Sequence, residues 1–331
     1  MSDRLIREFT RKYVGKNDWV GALSFFGTIG AYFVILYVAI VTAWSWATPV
    51  LVILGAFAGV RLYVLQHDMG HYSLFSQRWM NEWAGHISQT FTMSPFRAMQ
   101  WNHDEHHKHL GNLDERHTTE IYTMTVREWD EAGFWKRLQY RLYRNPLILL
   151  PAGGLFVYFI RYRWPKNTME IGPVGVIVHD ILLFAYFGLL YWAFGWTGPL
   201  VLVAMVMVAG IIGVFMVYLQ HNFEETYWDR RPDLSPVRAA LEGSSALDLG
   251  HWWDIGTGNI AYHDIHHFNA RIPSYRLRKC HQDLRKEFDI PTIRWPEAIR
   301  SFTLKLWDED ANRLVPFPKV RETRSAAIPA E

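Results

Sequence analysis

The stretch PVLVILGAFAGVRLYVLQHDMGH, residues 49–71, decides the fold of this chain. The part before Gln66 carries Arg61 as its single charge and approaches the ~20 residues that a helix needs to cross a hydrocarbon core. His67 and His71 follow directly and lie four residues apart, so in a helix they project from one face. The stretch therefore predicts a membrane-spanning helix that presents two imidazoles at its end.

Composition limits the chemistry that these imidazoles can take part in. The chain has 331 residues, half of them hydrophobic, and its formal net charge of +2 gives no basis for expecting a nucleic-acid partner. Its one cysteine, Cys280, excludes an intrachain disulfide and a cluster of thiolate ligands. Any metal bound by the chain must therefore be held by nitrogen or oxygen.

Two later stretches repeat the histidine pattern. HDEHH at 103–107 and HDIHH at 263–267 each place histidines at spacings of three and four, which again puts them on one helical face. The adjacent pair in each box lets one helix reach two metals or two coordination sites. The predicted metal ligands are the eight histidines of the boxes, namely His67, His71, His103, His106, His107, His263, His266 and His267. His221, which ends a later apolar run, is predicted as a ninth.

Four apolar runs are long enough to cross a membrane, at about 23–46, 50–66, 174–196 and 200–219. Short uncharged turns join the first run to the second and the third to the fourth, which predicts two hairpins. We expect Arg61 to snorkel to the lipid headgroups. Residues 124–144 form an amphipathic pattern, as do Ile6, Phe9 and Tyr13, and both patterns predict interfacial helices.

The apolar stretch 146–160 is too short to assign from its length. All ligands of a metal site must lie on one side of the bilayer, so an even number of crossings separates the first box from the third. Basic residues flank both ends of the stretch, and we therefore expect it to dip into the membrane and return. The same bias places the histidine boxes and both termini in the cytoplasm.

These expectations combine into one architecture. The sequence predicts an all-α integral membrane protein with four transmembrane helices in two hairpins, interfacial helices and a cytoplasmic helical cap that holds a di-metal site. A single membrane domain covers 1–315, with the cap built from 67–145 and 221–315, and residues 316–331 are expected to be a disordered tail.

The number of imidazoles helps to choose the metal. Catalytic zinc takes about three protein ligands and structural zinc takes four, so nine imidazoles suit two octahedral ions better than one. Imidazole binds iron, copper, nickel and zinc, and ligand softness alone leaves these metals open. Two irons fit the ligand count best. No catalytic residue is predicted beyond the metal ligands.

An aspartate follows the first histidine of every box. Because metal-bound imidazoles commonly donate their second N–H to a carboxylate, we expect Asp68, Asp104 and Asp264 to reach ligands of another box, with Asn259 in a similar supporting role. The remaining histidines are not predicted as ligands; they are His86, His109, His117, His179, His251 and His281.

The sequences around the boxes resemble those of a known family. HDMGHYSLF at 67–75, HDEHH and GNIAYHDIHHFNARIPSYRL at 258–277 resemble the three histidine boxes of integral-membrane fatty acid desaturases, and YLQHNFEE resembles the segment that supplies an extra histidine. The similarity is to the acyl-lipid, omega-6 (delta-12)-like branch, although HKHLGN after the second box departs from its usual wording. The resemblance implies a non-haem di-iron centre that uses O₂ and two electrons to insert a cis double bond.

Electrons would have to come from another protein. The chain shows no fused cytochrome domain, no cysteine set for an iron–sulfur cluster and no nucleotide-binding glycine loop, so a separate ferredoxin- or cytochrome-like donor is expected. A basic cluster beside the third box could receive an acidic carrier; it consists of Arg271, Arg276, Arg278 and Lys279. Contact of the same residues with anionic lipid headgroups is an equal alternative.

Two other functions compete with acyl desaturation. A di-iron membrane hydroxylase of an alkane, carotenoid or sphingolipid chain would use the same ligands. A metal transporter or a non-catalytic metal-binding protein is the third candidate, but transport should place ligands near the middle of the membrane.

Overall fold

A computed structural model describes residues 3–116, 121–288, 290 and 292–318. The protein is mostly helical. In chain order its helices are α1 (Asp3–Arg11), α2 (Asp18–Val41), α3 (Thr48–Gly70), α4 (Arg78–Ser88), α5 (Phe96–Lys108), α6 (Val126–Glu131), α7 (Phe134–Tyr143), α8 (Pro146–Leu155), α9 (Thr168–Ile171), α10 (Pro173–Phe194), α11 (Thr197–His221), α12 (Pro236–Leu241), α13 (His251–Gly256), α14 (His263–Phe268), α15 (Ser274–Leu284) and α16 (Trp295–Ser301).

The described part of the chain also contains five short strands, which were not predicted from the sequence. They are β1 (Met124–Thr125), β2 (Ala246–Leu247), β3 (Thr292–Ile293), β4 (Leu306–Asp308) and β5 (Arg313–Val315). β1 pairs in parallel with β4, which pairs antiparallel with β5. β2 pairs in parallel with β3. These small sheets connect segments that are distant in sequence within the cap.

The four long helices α2, α3, α10 and α11 are apolar enough to span a membrane, as predicted. Their bounds differ from the predicted ones by up to five residues. α2 begins earlier, since the Asn17 side chain caps its first turn, and it ends earlier, before a turn in which Trp44 has φ 70°. α3 and α11 extend beyond their predicted ends to the candidate ligands, α3 through His67 and α11 through His221.

The stretch that follows Asn145 enters the bundle and returns. Gly154 of α8 lies against the backbone of Gly210, eleven residues or about 16 Å before the end of α11. A π-helical turn, Phe156–Ile160, and a 3-10 turn, Arg161–Arg163, then lead back, and Arg163 donates to the Met93 carbonyl oxygen at 2.8 Å. Met93 adjoins Ser94, whose carbonyl accepts from Gln66 near the histidine end of α3. These contacts agree with the predicted dip.

Three local predictions were wrong. The pattern at 124–144 is not one helix, because the chain is extended at Ala132 and Gly133 between α6 and α7. The apolar face of α1 does not face outward: Ile6 is buried in a core that includes Ile265. Arg61 does not snorkel to headgroups; it donates to Thr28 and to the Ile255 carbonyl oxygen.

The division into a domain of 1–315 and a tail of 316–331 stays a prediction, because residues 319–331 lie outside the described part of the chain.

Candidate metal centre

Four helices bring the candidate ligands together. The end of α3 carries His67 and His71, the last turns of α5 carry the second box, and α11 ends at His221. The one-and-a-half-turn helix α14 carries the third box. The nine predicted histidines form two groups, one of His67, His71, His103, His107 and His266, and one of His106, His221, His263 and His267.

In the first group the ring nitrogens converge closely. His103 Nε2 lies 2.7 Å from His67 Nε2 and 2.8 Å from His107 Nε2. His266 Nε2 is 3.1 Å from His107 Nε2 and 3.5 Å from His103 Nε2. Four imidazoles from three helices therefore bring their Nε2 atoms close together.

The second group is built in the same way. His263 and His267 bring their Nε2 atoms within 2.9 Å of each other, and the His221 ring lies about 5 Å from both rings, at 5.1 and 5.2 Å between centroids. His221 Nδ1 is 3.2 Å from the Gly243 carbonyl oxygen and donates to it, so Nε2 is the ring nitrogen that could bind a metal. Both Nδ1 and Nε2 of His106 are buried without a hydrogen-bond partner among the described residues.

The arrangement of the ring nitrogens in the two groups suits metal binding better than hydrogen bonding between the imidazoles. A neutral imidazole carries one N–H, so His103 Nε2 cannot satisfy three neighbouring Nε2 atoms by hydrogen bonding. Metal–imidazole bonds of ~2.1 Å place adjacent octahedral ligands about 3 Å apart, which matches the shortest nitrogen separation in each group. Five and four imidazoles, with no carboxylate in either group, suit a nitrogen-binding transition metal.

Neighbouring histidines in the sequence belong to different groups. His106 and His107 separate into the second and the first group, and so do His267 and His266. The rings of His107 and His267 are only 4.3 Å apart, so the two groups are adjacent. α5 and α14 thus each supply ligands to both groups.

The surroundings keep these imidazoles neutral. Burial, reinforced by repulsion from neighbouring imidazoles, holds the pKa of His103, His107, His263, His266 and His267 well below 6.5. Burial lowers the pKa of His106 to about 4. Neutral imidazoles are the form that binds metal, so the site needs no proton release from these rings near pH 7.

The aspartates of the boxes do not take the positions that we expected. Asp68 Oδ1 is 3.7 Å from Nδ1 of its own neighbour His67, while its Oδ2 accepts from the Ser274 amide at 2.7 Å. Asp264 Oδ2 is 3.7 Å from Nδ1 of His281, which belongs to neither group, and burial raises the pKa of Asp264 to about 7. The expectation of contacts between boxes was therefore wrong for both residues.

The other two supporting candidates make no hydrogen bond to the histidines of either group among the described residues. Asp104 makes no hydrogen bond to the described residues, and burial raises its pKa. Asn259 has φ 63° and donates to the Ser274 carbonyl oxygen at 3.1 Å. Asn259 and Asp68 therefore both connect to the start of α15, which fixes the third box relative to the first.

The basic cluster is partly neutralised. Arg278 pairs with Asp254 at 3.0 Å, and Lys279 pairs with Asp283 at 3.0 Å. Arg271 is exposed and Arg276 half-buried, and neither has a carboxylate partner among the described residues. These two arginines carry the unpaired charge that a partner could meet.

Histidines that were not predicted as ligands lie outside both groups in the described part of the chain. His179 contacts the Gln89 carbonyl oxygen at 3.1 Å and Asp180 at 3.2 Å, which is a structural role. His117 lies outside the described residues. The contact missed by sequence reasoning is the Gly243 carbonyl oxygen that orients His221, since a backbone acceptor leaves no pattern in the sequence.

Comparisons with known proteins agree with this arrangement. The family model for fatty acid desaturases matches residues 43–296, which include all nine histidines. A fatty acid desaturase of Bacillus subtilis is 31% identical over 308 residues, covering 92% of this chain and 87% of that protein. An sn-1 oleoyl-lipid 12-desaturase of Synechocystis sp. is 25% identical over 82% of this chain and 76% of that protein.

A second Synechocystis protein, an sn-1 acyl-lipid omega-3 desaturase (ferredoxin), is 27% identical over 66% of this chain and 62% of that protein. With four helices long and apolar enough to span a membrane and two histidine groups at one end of them, the chain is an integral membrane protein that belongs to the fatty acid desaturase family.

Proposed function

We propose that the protein inserts a cis double bond into the acyl chain of a membrane lipid, using O₂ and two electrons at a non-haem di-iron centre. The observation that carries this proposal is the pair of adjacent all-histidine groups at the ends of the spanning helices. Two relatives are named as an sn-1 oleoyl-lipid and an sn-1 acyl-lipid desaturase, and these names support a lipid-linked substrate.

The reaction balances with these reactants. Two adjacent methylenes each lose one hydrogen atom, and the carbon–carbon bond between them becomes double. The two hydrogens, with two electrons and two protons from outside, reduce O₂ to two waters. Iron supplies the redox chemistry with O₂ that zinc, which has no redox states, cannot give.

The chain's own residues hold and shield this centre. The Gly243 carbonyl oxygen fixes the tautomer of His221, and burial keeps His263 and His267 neutral and excludes bulk water. Because the groups lie at the ends of α3 and α11, an acyl chain can reach them from the bilayer without crossing water.

The position of the ligands also bears on transport. A transporter binds its ion near the middle of the membrane, between broken helices. Here His67 and His221 end their spanning helices, and the other boxes lie on α5 and α14, outside all four spans. This geometry supports catalysis at the membrane surface.

A small acidic redox protein of the ferredoxin kind is the proposed electron donor. The word ferredoxin in a relative's name supports it, and so does the unpaired charge of Arg271 and Arg276 beside the third box. The excess of basic residues around the boxes supports a cytoplasmic position for the site and for both termini.

The deciding experiment is expression in a host without polyunsaturated lipids, followed by location of new double bonds by mass spectrometry. We expect one new cis double bond in the wild type and none with His266→Ala. His86→Ala, which changes an exposed histidine outside both groups, should keep full activity. A new hydroxyl in place of the double bond would instead favour a hydroxylase.

Metal analysis tests the cofactor separately. Protein purified after iron-replete expression should contain about two irons per chain, as the two groups require. Zinc alone in such a preparation would contradict the di-iron proposal.

A further inference from the structure

The short helix α13 lies deeper than the rest of the cap around the third box. Phe57, near the middle of α3, packs edge-on against the rings of Trp252 and Trp253, at 5.8 and 5.6 Å between centroids. Gly256 lies so close to Phe57 that a Cβ there would be 2.6 Å from the Phe57 ring. The segment 251–258 therefore runs along α3 rather than above its end.

The depth of this contact follows from the geometry of α3. The apolar part of α3 ends at Gln66, and Phe57 lies nine residues before it, or about 13 Å along the axis. Arg61 lies five residues before Gln66, or about 7 Å. α13 thus reaches a depth at which the bundle is surrounded by lipid, similar to the ~5–10 Å of interfacial helices.

Arg61 anchors this segment. Its guanidinium donates to the Ile255 carbonyl oxygen at 2.5 Å and to the Thr28 hydroxyl at 3.1 Å. A charged residue inside a spanning helix is costly unless it finds partners. The partner here is the Ile255 carbonyl oxygen near the end of α13, which also accepts from the Gly258 amide, so the Arg61 hydrogen bond ties the cap to the first hairpin within the membrane.

The outer face of α13 is apolar and exposed. Trp252 and Ile255 are 56% and 57% exposed, and Trp295 and Ile299 of α16 continue the same patch at 40% and 68%. The two helices are connected through Trp253, whose ring is 6.1 Å from that of Trp295. At the rim, His251, Asp248 and Arg294 are exposed and polar, which suits the headgroup region.

We infer that α13 and the first turns of α16 are embedded in the same leaflet as the histidine ends of the spans, with the patch of Trp252, Ile255, Trp295 and Ile299 in contact with acyl chains. The occupant of the patch is the bilayer itself, because the patch is continuous with the lipid-facing surface of α3 through Phe57. The segment that precedes the third box therefore enters one leaflet without crossing the membrane.

Spin labelling of the whole protein in lipid nanodiscs tests this. Trp252→Cys and Ile255→Cys are each labelled with a nitroxide, and collisions with O₂, which concentrates in lipid, are compared with collisions with a water-soluble nickel chelate. The native thiol does not interfere, since Cys280 is buried and burial raises its pKa to about 12.

Two further labelled positions provide reference values for lipid and for water. Ile181→Cys, exposed on the spanning helix α10, gives the lipid value, and Asp310→Cys, exposed in the turn between β4 and β5, gives the aqueous value. We expect labels at 252 and 255 to match Ile181→Cys, with an oxygen-to-nickel ratio severalfold above that of Asp310→Cys. A ratio equal to that of Asp310→Cys at both positions would overturn the inference.

Ile299→Cys provides a second, independent position if Trp252→Cys fails to fold, since the Ile299 side chain is the most exposed of the patch. The measurement needs no substrate, so its result does not depend on whether the protein desaturates lipids.

Discussion

His103 shows how closely the imidazoles of one group are packed together. Its Nε2 has three neighbouring Nε2 atoms within 3.5 Å, and these come from α3, α5 and α14. Such crowding of acceptors is unfavourable without a cation between them. The residues of each group therefore depend on one another, and loss of one ligand should affect a single group.

Adjacent histidines should separate the two sites experimentally. His266→Ala removes a ligand of the first group and His267→Ala removes one of the second. We expect each variant to retain about one metal ion per chain instead of two, and their spectra to differ because different sites remain filled. Metal analysis with Mössbauer spectroscopy measures both. Identical spectra from the two variants would contradict the grouping.

Arg144 is the buried charge that holds the end of α11 in place. It donates to Asn222 Oδ1 at 2.7 Å, beside His221, and to Thr123 Oγ1 at 3.1 Å, and it has no carboxylate partner among the described residues. Arg144→Met should destabilise the protein by on the order of 3 kcal/mol, because buried acceptors lose their donor. Thermal unfolding in detergent measures this.

The matched control for Arg144 is Arg127→Met, which removes an exposed arginine and should leave the unfolding midpoint unchanged. Equal midpoints for the two variants would show that the Arg144 network contributes little.

At the scale of elements, sequence spacing identified candidate ligands but not which of them belong to the same group. Spacings of three and four identified eight of the nine histidines that converge, since helical periodicity is local, and His221 was predicted from its position at the end of an apolar run. The division into five and four depends on how α5 and α14 cross, which no local pattern records. The depth of α13 was missed because a helix of six residues is too short for a hydropathy argument.

The dip at 146–160 was predictable from topology. How closely this segment packs against α11 depends on one contact between two glycines, Gly154 and Gly210. A Cβ on Gly154 would lie 2.9 Å from the carbonyl carbon of Gly210. Glycines allow such close helix packing in membranes. Gly154→Ala should therefore push α8 away from α11 and lower both folding yield and the unfolding midpoint.

Gly188→Ala is the control for this crossing. A Cβ at Gly188 in α10 meets nothing within 4 Å, so this substitution should be neutral or slightly stabilising. A Gly154→Ala protein as stable as Gly188→Ala would show that the crossing tolerates separation.

For the whole molecule, the buried imidazoles determine how metal-free protein responds to acid. Their pKa values are lowered in the fold, with His106 at about 4, against ~6.5 in an unfolded chain. Below about pH 6.5 the unfolded chain therefore binds more protons than the folded one, and stability falls as pH falls toward 4. Bound metal should oppose this loss, because it competes with protons for the same nitrogens.

Unfolding midpoints of metal-free and metal-loaded protein at pH 7.5, 6 and 5 test this prediction. The metal-free protein should lose stability over this range, and the loaded protein should lose less until the metal dissociates. A metal-free protein that is equally stable at all three values would contradict the burial of neutral imidazoles.

The positions of the candidate ligands along the chain determine the order in which the two groups are completed during translation. Four of the five histidines in the first group precede residue 110, whereas three of the four in the second group follow residue 220. At ~5–20 residues per second, a ribosome needs roughly 10–30 s to proceed from His107 to His266. In the proposed di-metal centre, the first site can thus begin to bind its ion before the second hairpin is synthesised, but the second site must wait for the nearly finished chain.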